Sequence, residues 1–304
     1  MKPLLFALPG NEAMAAALCR QGGFEAGRLE LRAFPDGESH LRLLSEPAGR
    51  EVVLVCSLDR PDAKFVPLCL AAGVARELGA VRVGLVAPYL AYLRQDARFR
   101  PGEGITARHF ARLLGGAVDW LVTVDPHLHR VHSLDEVYDI PTVVVPAAPA
   151  IAAWLAQHVS RPLLIGPDEE SGQWVAQVAA LAGCPGTTLR KERRGDREVA
   201  LSVPDLAQWR ARTPVLLDDI ASTARTMIAA VARVREAGLA APVCIAVHPL
   251  FAGDAYAELR AAGVADVVCT DTIAHPASRI GLADAIGTAA AGLIASGAAV
   301  RRRA

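Results

Sequence analysis

Lysine is nearly missing from this chain. Its 304 residues include Lys2, Lys64 and Lys191 and no other, so 29 of the 32 basic side chains are arginines. A compact ammonium and a planar guanidinium fork differ in reach and geometry, which makes a lysine kept inside a charged segment a candidate for work that arginine cannot do. Lys191, in "LRKERRGDREVAL" (189–201), is such a lysine, although a charge run of this kind also reads as a plain solvated face. Net charge is missing too. The 32 basic residues balance 32 acidic ones, which excludes a global basic field for non-specific nucleic-acid binding, and the terminal "RRRA" reads as a local solvated end. The six cysteines lie far apart with no CxxC pair, and Cys56, Cys244 and Cys269 sit in apolar runs where a thiol behaves as a small hydrophobe. A reduced, cytoplasmic setting is expected. No stretch of about 18 apolar residues offers a membrane span, and the apolar part of "MKPLLFALPG" is too short for a signal peptide. There is also no GxxxxGK[ST], so a Walker phosphate loop is excluded.

What is present is a well-buried globular composition, 52% hydrophobic and 21% charged, in a chain long enough for two domains. Short apolar runs ("VVLVCS", "VRVGLVAP", "WLVTVD", "TVVVP", "PLLIGP", "PVLLDD", "PVCIAVHP", "ADVVCTD") alternate with Ala- and Leu-rich helical stretches. Continuous apolarity predicts parallel strands buried on both faces. The fold class is α/β. Three echoes in one order predict a duplicated domain: "LLFALPG" with "LLIGPDE", "VVLVCSLD…VRVGLVAP" with "PVLLDDIAS…PVCIAVHP", and "DWLVTVD" with "DVVCTD". The first copy carries an insertion holding "YLAYLRQDARFRPGEGITARHF". The domains are expected at 1–147 and 148–304, with the last helix able to pack back on the first.

The copies differ at the end of the second matching strand. The first has Val55-Cys56 and then "SLDRPDAK"; the second has Asp218-Asp219 and then a hydroxyl-rich turn, "IASTART". In parallel α/β sheets ligands bind beyond strand C-termini, where the free N–H groups and dipole of the next helix attract phosphate. Ser222, Thr223 and Thr226 add hydroxyl donors there, whereas two carboxylates would repel phosphate. Ionised carboxylates accept from vicinal sugar hydroxyls, so the physical reading is a sugar phosphate. The alternative is a helix cap by Ser222 or Thr223 beside two exposed aspartates.

Four further segments carry chemistry. "FPDGE" (34–38) joins an aromatic face to two acids around a glycine turn, and reads equally as a hairpin tip. "YLRQDARFR" (92–100) offers a guanidinium and an amide suited to polyphosphate oxygens, or an exposed charged turn. "TVDPHLHRVH" (123–132) places His127, His129 and His132 after a strand end, without the further ligands that tetrahedral zinc requires. "IGPDEESG" (165–172) puts Asp168 at another strand end, as a metal ligand or a helix cap.

In this order the motifs resemble ribose-phosphate diphosphokinases, with "DDIASTART" similar to the phosphoribosyl-diphosphate loop of the phosphoribosyltransferase fold. From "FPDGESHLRL" to "DTIAHPASRIGLADAI" the similarity spans nearly the whole chain. The resemblance implies two tandem phosphoribosyltransferase-like domains, each a central, mostly parallel sheet flanked by helices. It implies transfer of the diphosphoryl group of ATP to ribose 5-phosphate, with Mg²⁺ as cofactor and a homo-oligomer whose ATP site lies at a subunit interface. Neither nucleic acid nor membrane is an implied partner. By position, it casts Phe34, Asp36, Glu38, Arg94 and Gln95 as ATP-binding, and His127 and Asp168 as magnesium-site residues. Asp218, Asp219, Ser222, Thr223, Ala224, Arg225 and Thr226 would bind ribose 5-phosphate, and Lys191 and Arg193 would act on the reacting phosphates. The family loop is usually Thr-Gly-Gly-Thr, where this chain has Thr223-Ala224-Arg225-Thr226. The rival readings are a non-catalytic regulatory homologue and a nucleobase phosphoribosyltransferase.

Overall fold

The computed structural model describes residues 1–128, 130–194, 198–202 and 206–297; within 190–202 and at 207 it describes the backbone alone. The chain forms two compact units, one of Met1–Val145 with Ala283–Ala304 and one of Pro146–Leu282.

The first unit runs β1 (Leu4–Ala7), α1 (Glu12–Arg20), β2 (Glu25–Ala26), β3 (Leu29–Ala33), β4 (Ser39–Leu43), β5 (Glu51–Val55), α2 (Pro61–Glu77), β6 (Arg82–Ala87), α3 (Thr106–Ala117), β7 (Trp120–Val124) and β8 (Thr142–Val145). Six strands pair in the order β2-β1-β5-β6-β7-β8 and every pairing is parallel. Their apolar runs sit at the centre, with Leu4, Phe6, Val52 to Val55, Val83 and Leu121 fully buried. Gly84 is needed where β6 meets β7, because a Cβ there would fall 1.8 Å from the Trp120 indole. The indole N–H donates to Glu51 Oε1 at 2.8 Å and Arg82 Nε donates to Glu51 Oε2 at 2.9 Å, so one half-buried carboxylate ties three strands. Strands β3 and β4 form a separate antiparallel hairpin whose tip is residues 34–38.

The second unit runs α4 (Ala148–His158), β9 (Pro162–Gly166), α5 (Gly172–Ala182), β10 (Gly186–Thr188), β11 (Arg190–Arg194), β12 (Glu198–Ser202), β13 (Thr213–Ala221), α6 (Arg225–Glu236), β14 (Val243–Pro249), α7 (Ala255–Ala261), β15 (Asp266–Thr270) and β16 (Ser278–Ile280). Its sheet, β10-β9-β13-β14-β15-β16, is again all parallel. It repeats the strand order of the first, β1 answering to β9, β5 to β13, β6 to β14 and β7 to β15. The insertion lies between β6 and β7, whose connection runs 88–119 against 250–265 between β14 and β15.

Three details bear on the expectations. Helix α8 (Ala283–Ser296) is grouped with the first unit, so the second ends at Leu282. It packs on α1, β7 and β8, and Arg82 Nη2 donates to the Ile294 carbonyl at 3.1 Å. The charged segment around Lys191 is the antiparallel hairpin β11–β12, since "EVALS" supplies an alternating strand for it to pair with. Strand β13 continues through Asp218 and Asp219 to Ala221, because its ladder with β14 holds residues that are poor strand formers.

Candidate active site

Strand β13, the turn 222–224 and helix α6 build one end of the second sheet. Asp218 pairs across the ladder with Ala246 and Asp219 is 6% exposed, so the two acids belong to the strand end and not to a solvated turn. Helix α6 begins with Ala224 as its cap residue and no side chain caps it, so Ser222 and Thr223 are not spent on its N-terminus. The first N–H groups of α6 therefore face the turn without intrahelical partners. Ala224 adopts φ 55°, ψ 6°, a left-handed conformation rare outside glycine, while its methyl is buried in the core with Met227 and Val231. The neighbouring loop braces the turn: Phe251 N–H donates to the Ala221 carbonyl at 2.8 Å, and Ala252 N–H to that of Ser222 at 3.0 Å. Thr223, Arg225 and Thr226 are exposed above it, with Ser222 half-buried.

Acids crowd this strand end. The Asp218 carboxyl is pushed up to about 8, first by burial, then by the charges of Asp219 and Asp168. Asp168 lies past the end of β9, the strand beside β13. Its Oδ1 accepts from the N–H groups of Glu170 (3.1 Å) and Ser171 (3.2 Å), and Ser171 Oγ donates to the Asp168 carbonyl at 2.6 Å. The turn closes over Gly166, where a Cβ would fall 2.3 Å from Ser171 Oγ. A carboxyl held this high marks a place that favours donors or a cation. Among the described residues no three His, Cys, Asp or Glu groups close into a cage for a metal. Mg²⁺ needs no such cage, since it keeps waters and takes one or two carboxylates plus substrate phosphates, so the donor set at this strand end fits it.

In the first unit, the tip of the β3–β4 hairpin carries Phe34, Asp36 and Glu38, all exposed. Phe34 N–H donates to the Glu38 carbonyl at 2.7 Å, and Glu38 N–H to Asp36 Oδ1 at 3.2 Å, around Gly37 at φ 92°. Arg32 lies 4.8 Å from the Phe34 ring centroid. Arg94 is exposed and Gln95 half-buried, with Gln95 Oε1 accepting from Thr106 Oγ1 at 2.7 Å at the start of α3. His127 is half-buried just beyond β7, after Asp125 at φ 29°. His129 lies outside the described residues, as do the side chains of Lys191 and Arg193, whose backbones form part of β11.

Residues 3–117 match the family described as the N-terminal domain of ribose phosphate pyrophosphokinase, and residues 133–282 match the phosphoribosyl transferase domain. A ribose-phosphate pyrophosphokinase of Methanopyrus kandleri is 34% identical over 87% of this chain and 90% of its own length. One from Halobacterium salinarum is 34% identical over 94% of this chain and 100% of its own. The chain belongs to the ribose-phosphate pyrophosphokinase family. A crystal structure of phosphoribosylpyrophosphate synthetase from Mycobacterium smegmatis superposes with a TM-score of 0.84 over 98% of this chain and 100% of its own length, at 22% identity. That likeness carries the fold.

Two groups of this pyrophosphokinase-family chain escaped the sequence reading. At the end of β5, where the second copy has its acids, Lys64 Nζ donates to the Ser57 carbonyl at 2.9 Å and makes a close ion pair with Asp59. Asn11 Oδ1 accepts from Ser57 N–H at 2.8 Å, and Ser57 Oγ accepts from Tyr89 N–H at 3.0 Å. The second group is Asp96, adjoining Arg94 and Gln95, which is paired to Arg130. The scarcity of lysine was the one available signal for Lys64.

Proposed function

We propose that this chain transfers the β,γ-diphosphoryl group of ATP to the C1 hydroxyl of ribose 5-phosphate, releasing 5-phosphoribosyl 1-diphosphate and AMP. The observation that carries it is the end of β13: acids inside the strand, an uncapped helix start with hydroxyls around it, and a carboxyl pushed up to about 8. In a chain of this family, that arrangement suits a ligand bearing hydroxyls at one end and phosphate at the other.

The roles divide by chemistry. Asp218 and Asp219 accept from the ribose hydroxyls, while Ser222 to Thr226 hold the 5-phosphate through backbone N–H groups and hydroxyls. Arg225 adds a cation where the family loop has glycine. Phe34 stacks on adenine, with Asp36 and Glu38 hydrogen-bonding its edge, and Arg94 and Gln95 hold the polyphosphate. Exposure of the whole hairpin tip suits an ATP site completed by a second copy of the chain, and hence a homo-oligomer. Attack on the β-phosphorus is in line, so the protein's work is to align the reactants and neutralise developing charge. Lys191 and Arg193 are assigned that charge-neutralising role. Mg²⁺ is assigned to His127 and Asp168, and when bound it supplies a counter-charge to the phosphate oxygens. Among the described residues no helix is long and apolar enough to cross a membrane, and we place the enzyme in the cytoplasm.

Incubation with ATP, ribose 5-phosphate and Mg²⁺, followed by ³¹P NMR and nucleotide chromatography, should show AMP and a diphosphorylated sugar in equal amounts. A folded protein that forms no AMP overturns this function. ADP in place of AMP would move the transfer to the γ-phosphorus.

A further inference from the structure

One buried carboxylate joins the segment before α3 to the loop after β7. Asp96 follows Arg94 and Gln95 directly, and its side chain is only 3% exposed. Its Oδ2 accepts the backbone N–H of Arg130 at 2.9 Å, and its Oδ1 accepts Arg130 Nη1 at 2.9 Å. Arg130 stands three residues beyond His127, and its guanidinium also lies 5.3 Å from the Phe99 ring centroid. Each loop is anchored at its other side. The Gln95 carbonyl accepts Ala107 N–H at 3.3 Å, and Glu136 Oε1 accepts the N–H groups of His132 (2.8 Å) and Ser133 (3.2 Å). Burial pushes the Asp96 carboxyl up, but the Arg130 N–H and guanidinium outweigh it and hold it below its ordinary value.

A carboxylate removed from water is tolerated only when paired and hydrogen-bonded. Here both bonds come from one residue of the other loop, so the loops separate only by stripping Asp96 of both. Meanwhile Thr106 occupies the Oε1 end of the Gln95 amide, leaving the NH₂ end as donor for a ligand oxygen. We propose that Asp96 and Arg130 are positioning residues that lock the Arg94–Gln95 segment to the His127 loop, so that the groups meeting the nucleotide from both loops form one preassembled surface. This rests on the nucleotide role proposed above for those segments. Preassembly lowers the ordering cost of binding, so its loss reads out in nucleotide affinity as well as rate.

The test compares Asp96→Ala, Asp96→Asn, Arg130→Ala and the Asp96→Asn/Arg130→Ala pair. Affinity for a non-hydrolysable ATP analogue and for ribose 5-phosphate is measured by calorimetry, beside kcat, KM and thermal midpoints. Asp96→Ala loses both bonds and should weaken the analogue by about tenfold or more. Asp96→Asn keeps an acceptor for the backbone N–H, and Arg130→Ala keeps that N–H, so each should weaken it by about three- to fivefold. The double variant should be no weaker than either single one, since the ion pair is already gone. Ribose 5-phosphate affinity should not move. Additive losses in the double variant, or lowered thermal midpoints with unchanged analogue affinity, overturn the proposal. If Asp96→Ala does not fold, the two milder variants and their combination decide. Calorimetry needs no turnover, so a protein that binds the analogue but forms no AMP loses the proposed reaction while the clamp is judged separately. Failure of the wild-type protein to bind the analogue overturns both.

Discussion

Two copies of one strand end, β5 with its following turn and β13 with its own, have settled their charges in opposite ways. After β5, Lys64 pairs with Asp59 and donates to the Ser57 carbonyl, while Asn11 and Tyr89 take up the remaining polar groups of Ser57. After β13, acids crowd one another and Asp218 is pushed up to about 8. The first turn supplies its own counter-charge and is complete without a ligand. The second crowds Asp218 with the charges of Asp219 and Asp168. A duplicated fold can therefore keep its architecture in both copies while the charges at the matching strand ends diverge.

The largest effect should come from supplying too little positive charge to the second copy. Lys191→Ala should lower kcat by about 10²–10³-fold, the usual cost of removing a donor that meets developing charge, with a much smaller change in ATP affinity. Steady-state kinetics beside analogue binding checks the split; equal losses would make Lys191 a ground-state binding group. Asp218→Asn comes next and probes the acids themselves. It keeps the acceptor for Asp219 N–H, now 3.1 Å from Asp218 Oδ1, and removes the charge. Its kcat/KM for ribose 5-phosphate should fall by roughly 10–100-fold, the loss of a hydrogen bond to sugar hydroxyls that becomes charged once the bound ligand and cation ionise Asp218.

The same variant should stabilise the ligand-free protein, and the sign follows from linkage. Asp218 titrates from 3.8 unfolded to about 8 folded. Its contribution to stability is thus fully present below pH 3.8 and is lost as pH rises through 8. The wild-type thermal midpoint should fall across that window, and Asp218→Asn should flatten the fall, by on the order of 2 kcal/mol after screening at a partly exposed site. A parallel pair of melting curves would remove the acid crowding from the account.

Much of this was legible in the sequence, and the reasons are physical. Parallel strands buried on both faces leave continuous apolar runs, so β5, β6, β7, β9 and β14 stood out. The turn after β13 stood out by composition, and resemblance supplied the ligand. What could not be read depends on partners distant in sequence. Asp218 and Asp219 break the apolar pattern, and only the ladder with β14 makes them strand. The last helix was expected to be able to pack back on the first domain, but its own residues do not fix that choice. Asp96 meets Arg130 across 34 residues with no periodicity to announce it.

Opening the self-neutralised copy should cost stability and little else. Lys64→Met leaves Asp59, whose side chain is 20% exposed, without its ion partner. Breaking such a pair should destabilise by about 1–3 kcal/mol, less than full burial would give. Adding Asp59→Asn should recover part of the loss, because a neutral pair has no stranded charge. Chemical denaturation of the single and double variants measures it, and a double variant no more stable than Lys64→Met would deny the pair its charge-balancing role.

The smallest effect concerns the missing glycine. Ala224 sits at φ 55°, and a left-handed alanine costs about 1 kcal/mol that glycine would not. Against this, Ala224→Gly deletes a buried methyl, worth about 0.8 kcal/mol, and adds roughly 0.5–1 kcal/mol of unfolded-chain entropy. The sum is slightly unfavourable, so the thermal midpoint should drop by only a few degrees. Function should report more than stability does. The methyl nails the turn to the core of its unit, and releasing it lets the first N–H groups of α6 wander, which should raise KM for ribose 5-phosphate by about two- to fivefold with kcat nearly unchanged. A lower KM in Ala224→Gly would mean that the alanine holds the turn away from its binding geometry, and that burial here constrains the site instead of preparing it.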